Sequence, residues 1–274
     1  MHIGLIGGIG PAATVFYYDR IVRAYDAAQQ KLELTIAHTS ARMLSANVNA
    51  GRAEEQATEY LRVTRQLAAA GAHAVAITSM GGHFCVREFA VVSPLPIING
   101  PIAVADRLKL LGLRRVGILG TRIVMQTALY GSLQDLDPVV PADALLQQVN
   151  DDYVAIAIAG QVNAEQRQRL LYAANRLIQR EGASAILLAG TDLNLVFDEA
   201  LELGYPVIDS AAVHVDAIVA AALKQSRPRA VPPLHITRAD IGTACAPDGH
   251  IPGIRFHGLF HARSHCRTLR SRLG

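Results

Sequence analysis

The sequence predicts an α/β protein of two similar lobes, each a doubly wound parallel sheet, followed by an irregular C-terminal tail. Strand-like apolar runs alternate with helix-like segments twice along the chain, the order typical of parallel sheets covered by helices. Residues 115–121 also repeat the pattern of residues 2–8, and residues 182–190 repeat that of 71–79. In the second pair, a small-residue turn leads into an apolar run too short for a helix, as in a buried parallel strand. The predicted divisions are a first lobe over 1–112, a second lobe over 113–225 and the tail over 226–274.

The first half begins with a predicted strand over residues 2–8 that runs into a glycine-rich loop. Pro11 suits the first turn of the next helix because its fixed φ matches that position and its missing N–H has no helical partner there. The remaining predictions for this half are a helix over 11–28, a strand over 34–39, a helix over 54–70, the strand before Ser79, a short helix from about Cys85, an edge-like strand over 96–99 and a helix over 101–111.

The second half restarts with a strand over residues 115–121. Asn163 is a good N-cap for a long helix over 164–181, with Glu165 in its first turn. The other predicted elements are a helix over 124–133, a loop over 138–141, a weak strand over 145–149, a strand from Ala185, a short helix after Thr191, a strand over 206–209 and a helix over 211–224.

Composition predicts a cytoplasmic protein. Half of the 274 residues are hydrophobic, but no stretch of eighteen apolar residues and no charged-then-apolar leader occurs. We therefore expect no signal peptide and no membrane span. The three cysteines, Cys85, Cys245 and Cys266, lack the spacing of metal ligands, and their odd number argues against a disulfide framework.

The basic charge of the chain is concentrated in the tail. From Ser226 onward eight Lys or Arg residues accompany two acidic ones, which leaves 18 basic and 21 acidic residues for 1–225. Nucleic-acid binding is therefore not expected. The tail also holds five of the ten histidines, without an apolar period, and we predict that it is irregular. The alternative is a metal site at helical spacing from His257, His261, His265 and Cys266; the prediction is no metal and no cofactor.

The candidate site lies where the strands end. In an open α/β sheet, ligands bind at the carboxyl ends of the strands, and Ser79 and Gly190 hold equivalent positions there in the two halves. Gly8, Gly10 and Thr14 lie around the start of the first helix, where backbone N–H groups can hold a carboxylate. Thr121 and Thr191 present hydroxyls at strand ends in the second half.

Four motifs carry a family resemblance. They are residues 4–14 (GLIGGIGPAAT) with Tyr17 and Tyr18, residues 119–122 (LGTR) with Met125 and Tyr130, Thr191-Asp192, and residues 209–214 (DSAAVH). In this order and spacing the chain resembles the aspartate/glutamate racemase superfamily, most closely its aspartate racemase branch, over residues 2–224. The resemblance implies a two-lobed fold, a homodimer, and cofactor-independent action on an amino acid or small carboxylate.

The chain differs from that family at the two positions where the family has its catalytic cysteines. Two cysteines of the family face each other across a cleft: one thiolate removes the Cα proton and the other thiol supplies a proton to the opposite face. The corresponding segments here read Ser79-Met80-Gly81-Gly82-His83 and Gly190-Thr191-Asp192, so both cysteines are absent. A thiol has a free pKa of about 8.5, whereas a serine hydroxyl is a far weaker base unless a neighbour activates it.

Three residues are the candidates for the catalytic role. Ser79 could act with His83 as its partner, or it could only hydrogen-bond a ligand carboxylate or the backbone. Asp192, in the family's Glu position, could act as general acid or base, or could serve as a helix N-terminal carboxylate. Thr78 and Cys85 are expected to be structural.

Two more residues complete the predicted binding set. Arg42 follows the second strand and could pair with a side-chain carboxylate, or it could be a solvated surface arginine. His214 could contact substrate, or could be a histidine on the face of the last helix.

The predicted function is a racemase-type isomerase acting on aspartate, glutamate or a related small carboxylate. The alternative is a non-racemising relative that binds a small carboxylate or performs lyase, decarboxylase or hydrolase chemistry. Residues 8–13 also satisfy a dinucleotide-binding G-x-G-x-x-A pattern. However, the second strand ends in His38-Thr39 and lacks the acidic residue that would bind the ribose.

Overall fold

The computed structural model describes residues 1–197 and 202–226. They belong to one compact unit, Met1–Arg227. The predicted tail and its four candidate metal ligands lie outside the described residues.

The first lobe is a parallel sheet of three strands covered by helices. Its strand order is β2-β1-β3, and Ile3 pairs with both Leu34 and Ala74. Its elements are β1 (Ile3–Gly7), α1 (Pro11–Ala27), β2 (Leu34–His38), α2 (Ala41–Asn49), α3 (Ala53–Ala69), β3 (Ala74–Ile77), a 3₁₀ helix (Gly81–Cys85), α4 (Val86–Val92) and α5 (Gly100–Leu110).

The second lobe repeats this plan with four parallel strands in the order β5-β4-β6-β7. Val116 pairs with Ala185, as Ile3 pairs with Ala74 in the first lobe. The elements are β4 (Arg115–Leu119), α6 (Arg122–Gln126), β5 (Asp137–Val139), α7 (Asp143–Ala159), α8 (Ala164–Gln179), β6 (Ala185–Leu188), a 3₁₀ helix (Thr191–Leu195), β7 (Val207–Asp209) and α9 (Ser210–Ser226). The predicted pair of parallel-sheet lobes is confirmed.

Burial explains the continuous apolar runs of the central strands. All residues of β1, β3 and β6 are buried, because helices cover both faces of each sheet. The last helix, α9, returns to the first lobe, where Val215 and Ile218 join a buried cluster with Tyr17 and Ile21 of α1. The two lobes are also tied by the Tyr130 hydroxyl, which donates a hydrogen bond of 2.9 Å to the Gly81 carbonyl oxygen.

The predicted strand over 145–149 is wrong, since these residues lie in α7. Leu146, Val149, Asp152 and Ile156 are buried at the spacing of a helix face, and the window 145–149 is too short to show that period. The second-lobe edge strand is β5 (Asp137–Val139), which overlaps the predicted loop over 138–141.

Three smaller differences concern one helix that was not predicted and two elements that are shorter than predicted. Helix α2 was not predicted, although Ser40 caps it by accepting a hydrogen bond from the Met43 N–H. The predicted helix over 124–133 ends at Gln126, because Ala128, Leu129 and Tyr130 adopt left-handed backbone angles. The predicted strand over 96–99 is reduced to a bridge between Ile97 and Val75.

None of the helices within residues 1–197 and 202–226 is long and apolar enough to cross a membrane.

The N-cap of α8 provides a test of how local sequence signals stabilise this helix. Asn163 and Gln166 form a reciprocal capping box, in which each side chain accepts a hydrogen bond from the other residue's backbone N–H. We expect Asn163→Ala to lower the free energy of unfolding by about 1 kcal/mol, measured by urea denaturation. Gln168→Ala, at an exposed position of the same helix, is the control. Equal effects of the two substitutions would contradict the capping role.

Candidate active site

A cleft of about 680 Å³ lies at the carboxyl ends of the central strands of both lobes. Ser79 lines it after β3, Thr121 after β4, and Thr191 and Asp192 after β6. The structure thus brings together polar side chains that are up to 113 residues apart in sequence. This is the edge at which open parallel sheets bind ligands.

Ser79 faces the cleft at the end of β3. Its hydroxyl oxygen accepts a hydrogen bond of 3.2 Å from the backbone N–H of Gly82, in the first turn of the 3₁₀ helix. A hydroxyl that accepts in this way still has its own O–H to donate. Ser79 is therefore arranged as a hydrogen-bond donor to a ligand.

His83 does not contact the Ser79 hydroxyl. Its Nδ1 donates to the Ser79 carbonyl oxygen at 2.7 Å, and its Nε2 accepts from the Gly100 N–H at 3.2 Å. The ring is completely buried, and burial, with a further contribution from His214, lowers its pKa to about 3. With both ring nitrogens bonded to the backbone, His83 cannot activate the hydroxyl in this arrangement.

His214 is the second member of a buried histidine pair. Its ring centroid lies 5.5 Å from that of His83, its Nε2 donates to the Ile98 carbonyl oxygen at 2.8 Å, and its Nδ1 accepts from the Tyr17 hydroxyl at 2.9 Å. Burial lowers its pKa to about 4. His214 is absent from the cleft lining, so the structure places it beneath the first-lobe wall.

In the loop before α1, some residues hold the loop in shape and others line the cleft. The Thr14 hydroxyl accepts from the Gly8 N–H at 3.0 Å and donates to the Gly10 carbonyl oxygen at 3.1 Å. Gly8 has a φ of +81°, and a Cβ there would lie 2.5 Å from the Thr39 carbonyl oxygen. Of these three predicted residues, Gly10 alone lines the cleft, and Thr14 holds the loop in shape.

The second-lobe wall carries the acidic group. Asp192 is 7% exposed and lines the cleft. Burial raises the pKa of its carboxyl group, and a hydrogen bond with its own backbone partly opposes this rise. The Thr121 hydroxyl nearby is buried and has no hydrogen-bond partner among the described residues. A carboxyl group with a raised pKa can exchange a proton closer to neutral pH than an ordinary one.

Gly190 is covered by an aromatic ring that sequence reasoning missed. A Cβ added to Gly190 would lie 2.5 Å from Cζ and 2.8 Å from the hydroxyl oxygen of Tyr153. Tyr153 projects from α7 into the cleft lining, whereas Gly190 does not line the cleft. The space of a side chain at position 190 is therefore filled by the phenol.

The structure adds further residues to the cleft lining and places Arg42 outside it. Arg42 is exposed on the first turn of α2 and does not line the cleft, whereas Arg122 does. Ser45 and Asn49 of α2 face the cleft as well. The resemblance motif 119–122 contains Arg122, and that signal could have identified it.

Cys85 lies outside the cleft lining. It is completely buried, and burial raises the pKa of its thiol to about 12. The thiol is therefore not a ready acid or base near neutral pH, as the sequence predicted.

The fold and site define a class of protein: a two-lobed α/β protein whose cleft is lined by Ser79 from the first lobe and by Thr191 and the buried Asp192 from the second. A family model described as Asp/Glu/Hydantoin racemase matches residues 6–218. The chain belongs to this family, as the sequence motifs predicted.

Solved structures of the same fold agree. An aspartate racemase homologue from Pyrococcus horikoshii is similar at 23% identity and a TM-score of 0.70, over 81% of this chain and 99% of that one. The aspartate racemase of Picrophilus torridus matches at 23% identity and a TM-score of 0.64, over 82% and 94%. Glutamate racemase from Francisella tularensis, in complex with D-glutamate, matches at 12% identity and a TM-score of 0.59, over 82% of each chain.

The overlap at position 190 predicts a strong energetic coupling. We expect Gly190→Cys to lower the free energy of unfolding by about 1–3 kcal/mol or more, because the new side chain overpacks against Tyr153. The cost should be smaller in a Tyr153→Ala background, as a double-mutant cycle in urea will show. Gly81→Cys is the matched control, since its Cβ would lie 3.7 Å from the Ser79 hydroxyl oxygen. An equal cost of Gly190→Cys in both backgrounds would refute the overlap.

The buried histidine pair predicts a loss of stability in acid. The pKa of each ring is lowered in the folded state, to about 3 and about 4, from an unfolded value near 6.5. The unfolded chain therefore binds more protons below pH 6.5. The free energy of unfolding should fall by about 1.4 kcal/mol per pH unit for each histidine between about pH 6 and pH 4. Urea denaturation across this range measures the slope.

The control separates the pair from other titrating groups. His214→Gln should reduce the slope, because glutamine does not titrate, whereas His73→Gln at an exposed position should leave it unchanged. The same slope in wild type and His214→Gln would show that the pair is not responsible.

Proposed function

We propose that this chain is a racemase-type isomerase that moves the proton on the carbon next to the carboxylate of a small substrate. The observation that carries the proposal is the buried Asp192 carboxyl group at the end of β6, in the cleft of a chain that belongs to the Asp/Glu/Hydantoin racemase family. Its substrate class is aspartate, glutamate or a related small carboxylate.

Asp192 is the proposed acid–base group. General acid–base catalysis is most effective when the pKa of the group lies near the working pH, and burial moves the pKa of Asp192 upward in that direction. The Tyr153 ring fills the space beside Gly190, and Tyr153 and Asp192 both line the cleft.

Ser79 is proposed to hold the substrate on the opposite wall. Its hydroxyl accepts from Gly82 and has an O–H left to donate, and the ring nitrogens of His83 are bonded to the backbone instead. Thr121 and Arg122 line the cleft on the second-lobe side. Hydroxyl donors and a guanidinium are suitable partners for a substrate carboxylate.

The remaining lining favours a substrate with an apolar portion. Leu44 and Val48 of α2 line the cleft from the first lobe, and Val154 and Ile158 of α7 line it from the second. A ligand that covers these side chains gains about 25 cal/mol for each Å² of apolar surface removed from water. The substrate panel should therefore include carboxylates with apolar side chains beside the acidic amino acids.

A second candidate is one-sided chemistry of the lyase or decarboxylase type. It is favoured by the first-lobe wall, where Ser79 stands in place of a thiol and His83 is committed to the backbone. One carboxyl group can remove and return a proton on one face of a carbon, whereas inversion requires a proton donor on each face. The stereochemistry of exchange distinguishes the two candidates.

Homodimerisation and a cytoplasmic location stay predictions of the resemblance and of the composition.

The proposed function predicts exchange of the α-proton. Proton NMR in deuterated water should show loss of the Cα–H signal from at least one member of a panel of L- and D-aspartate, L- and D-glutamate and apolar 2-amino acids. Asp192→Asn should lower kcat for this exchange by about 10²–10⁴-fold, because the amide cannot accept the proton. The wild-type rate should fall in acid at a higher pH than an ordinary carboxylate would give, since the carboxylate is the active form and its pKa is raised.

Chiral analysis of the same samples decides between the candidates. Exchange with inversion supports the isomerase, and exchange with retention supports the one-sided reaction. Asp151→Asn, at an exposed position, is the matched control and should leave kcat unchanged. Absence of exchange across the whole panel would overturn the proposal.

A further inference from the structure

The Tyr153 ring occupies the space that a side chain at position 190 would take. Its hydroxyl oxygen lies 2.8 Å from the position that a Cβ of residue 190 would take. The ring is held by α7, whose Val149 and Ile156 are buried in the second-lobe core. The phenol is therefore fixed by a helix rather than carried on a mobile loop.

The phenol also lies among the groups assigned to the proposed reaction. It lines the same cleft as Ser79 and Asp192, and a hydrogen bond from the Thr191 backbone reaches its oxygen. An oxygen that accepts this bond keeps its own O–H for another acceptor. Substrate bound between the two walls would be such an acceptor.

Burial keeps the phenol in its neutral, donating form. It raises the pKa of the Tyr153 hydroxyl well above the usual value, and the Asp192 carboxylate adds to the rise, whereas the Thr191 hydrogen bond partly opposes it. Tyr153 therefore does not become a base near neutral pH. A neutral donor in a partly dry site can stabilise a negative oxygen strongly.

We propose that Tyr153 is a catalytic residue of this cleft, whose hydroxyl donates a hydrogen bond to the substrate oxygen that gains negative charge when the neighbouring carbon loses its proton. This inference rests on the proposed function. Asp192 takes the proton, and the electron pair of the broken C–H bond moves toward the substrate carboxylate, where an oxygen becomes more negative. In the one-sided reaction, a proton exchanged from water returns from Asp192 to the same face of the carbon, and in the isomerase, a proton that derives from water reaches the opposite face. Tyr153 keeps its own proton throughout.

The competing explanation is that the ring only fills the space beside Gly190. A phenylalanine would do this equally well, so Tyr153→Phe separates the two roles. We expect Tyr153→Phe to lower kcat for exchange by about 10²–10³-fold, with a nearly unchanged KM and melting temperature. Tyr172→Phe, on the exposed side of α8 with 56% of its surface accessible, is the matched control. Equal kcat values for wild type and Tyr153→Phe would overturn the inference.

A binding readout makes the test independent of activity. Pyrrole-2-carboxylate is a planar carboxylate that mimics the flattened carbon formed by proton removal. In protein labelled with ¹³C at the tyrosine Cζ, eight signals are expected from the eight tyrosines, and the signal lost in Tyr153→Phe identifies Tyr153. Adding the probe should shift that signal in wild type and in Asp192→Asn. Titration calorimetry should show about 10-fold weaker binding, or more, to Tyr153→Phe.

These readouts keep the two proposals apart. If wild type exchanges no substrate, the proposed function fails, and the probe measurements alone decide the role of Tyr153. If wild type does not bind the probe, the Tyr153 signal does not move, or Tyr153→Phe binds as tightly as wild type, the inference is overturned whatever the exchange result.

Discussion

The buried histidine pair is the interaction on which the first wall of the cleft depends. His83 and His214 lie side by side with their ring nitrogens bonded to Ser79, Gly100, Ile98 and Tyr17. These partners come from the end of β3, the start of α5, the segment before it and α1, while His214 itself is on α9. His83 bonds the Ser79 carbonyl oxygen, and His214, 135 positions after Ser79 in the chain, packs against the ring of His83.

In the second wall of the cleft, the ring of Tyr153 fills the space beside Gly190, which has no side chain. A side chain at position 190 and the ring of Tyr153 cannot occupy the same space. With the phenol in this space, polar groups remain at the strand end, but they are a buried carboxyl group and a hydroxyl donor rather than a thiol. In the proposed reaction, the carboxyl group transfers the proton and the phenol donates a hydrogen bond, where the resemblance implies paired cysteines.

Much of the fold could be predicted because its signals are local. The capping box at Asn163, Pro11 at the start of α1 and the apolar runs of β1, β3 and β6 each act within a few residues. Helix α7 was missed because its buried face includes Asp152, a charged residue whose burial is explained by two hydrogen bonds from Arg169 of α8. That partner lies 17 residues away and is outside the reach of a local pattern. With α7 missing, Tyr153 could not be placed.

The sequence by itself determined the two-lobed α/β class, the family motifs and the strand ends at which Ser79 and Asp192 lie. These follow from the order and spacing of residues, which local backbone preferences and alternation convert into strands and helices. Tertiary structure alone decided that His83 and His214 support the wall, that Arg42 lies outside the cleft and that Tyr153 covers Gly190. Each of these outcomes depends on which distant atoms share a small buried volume, and close packing, not sequence spacing, settles that.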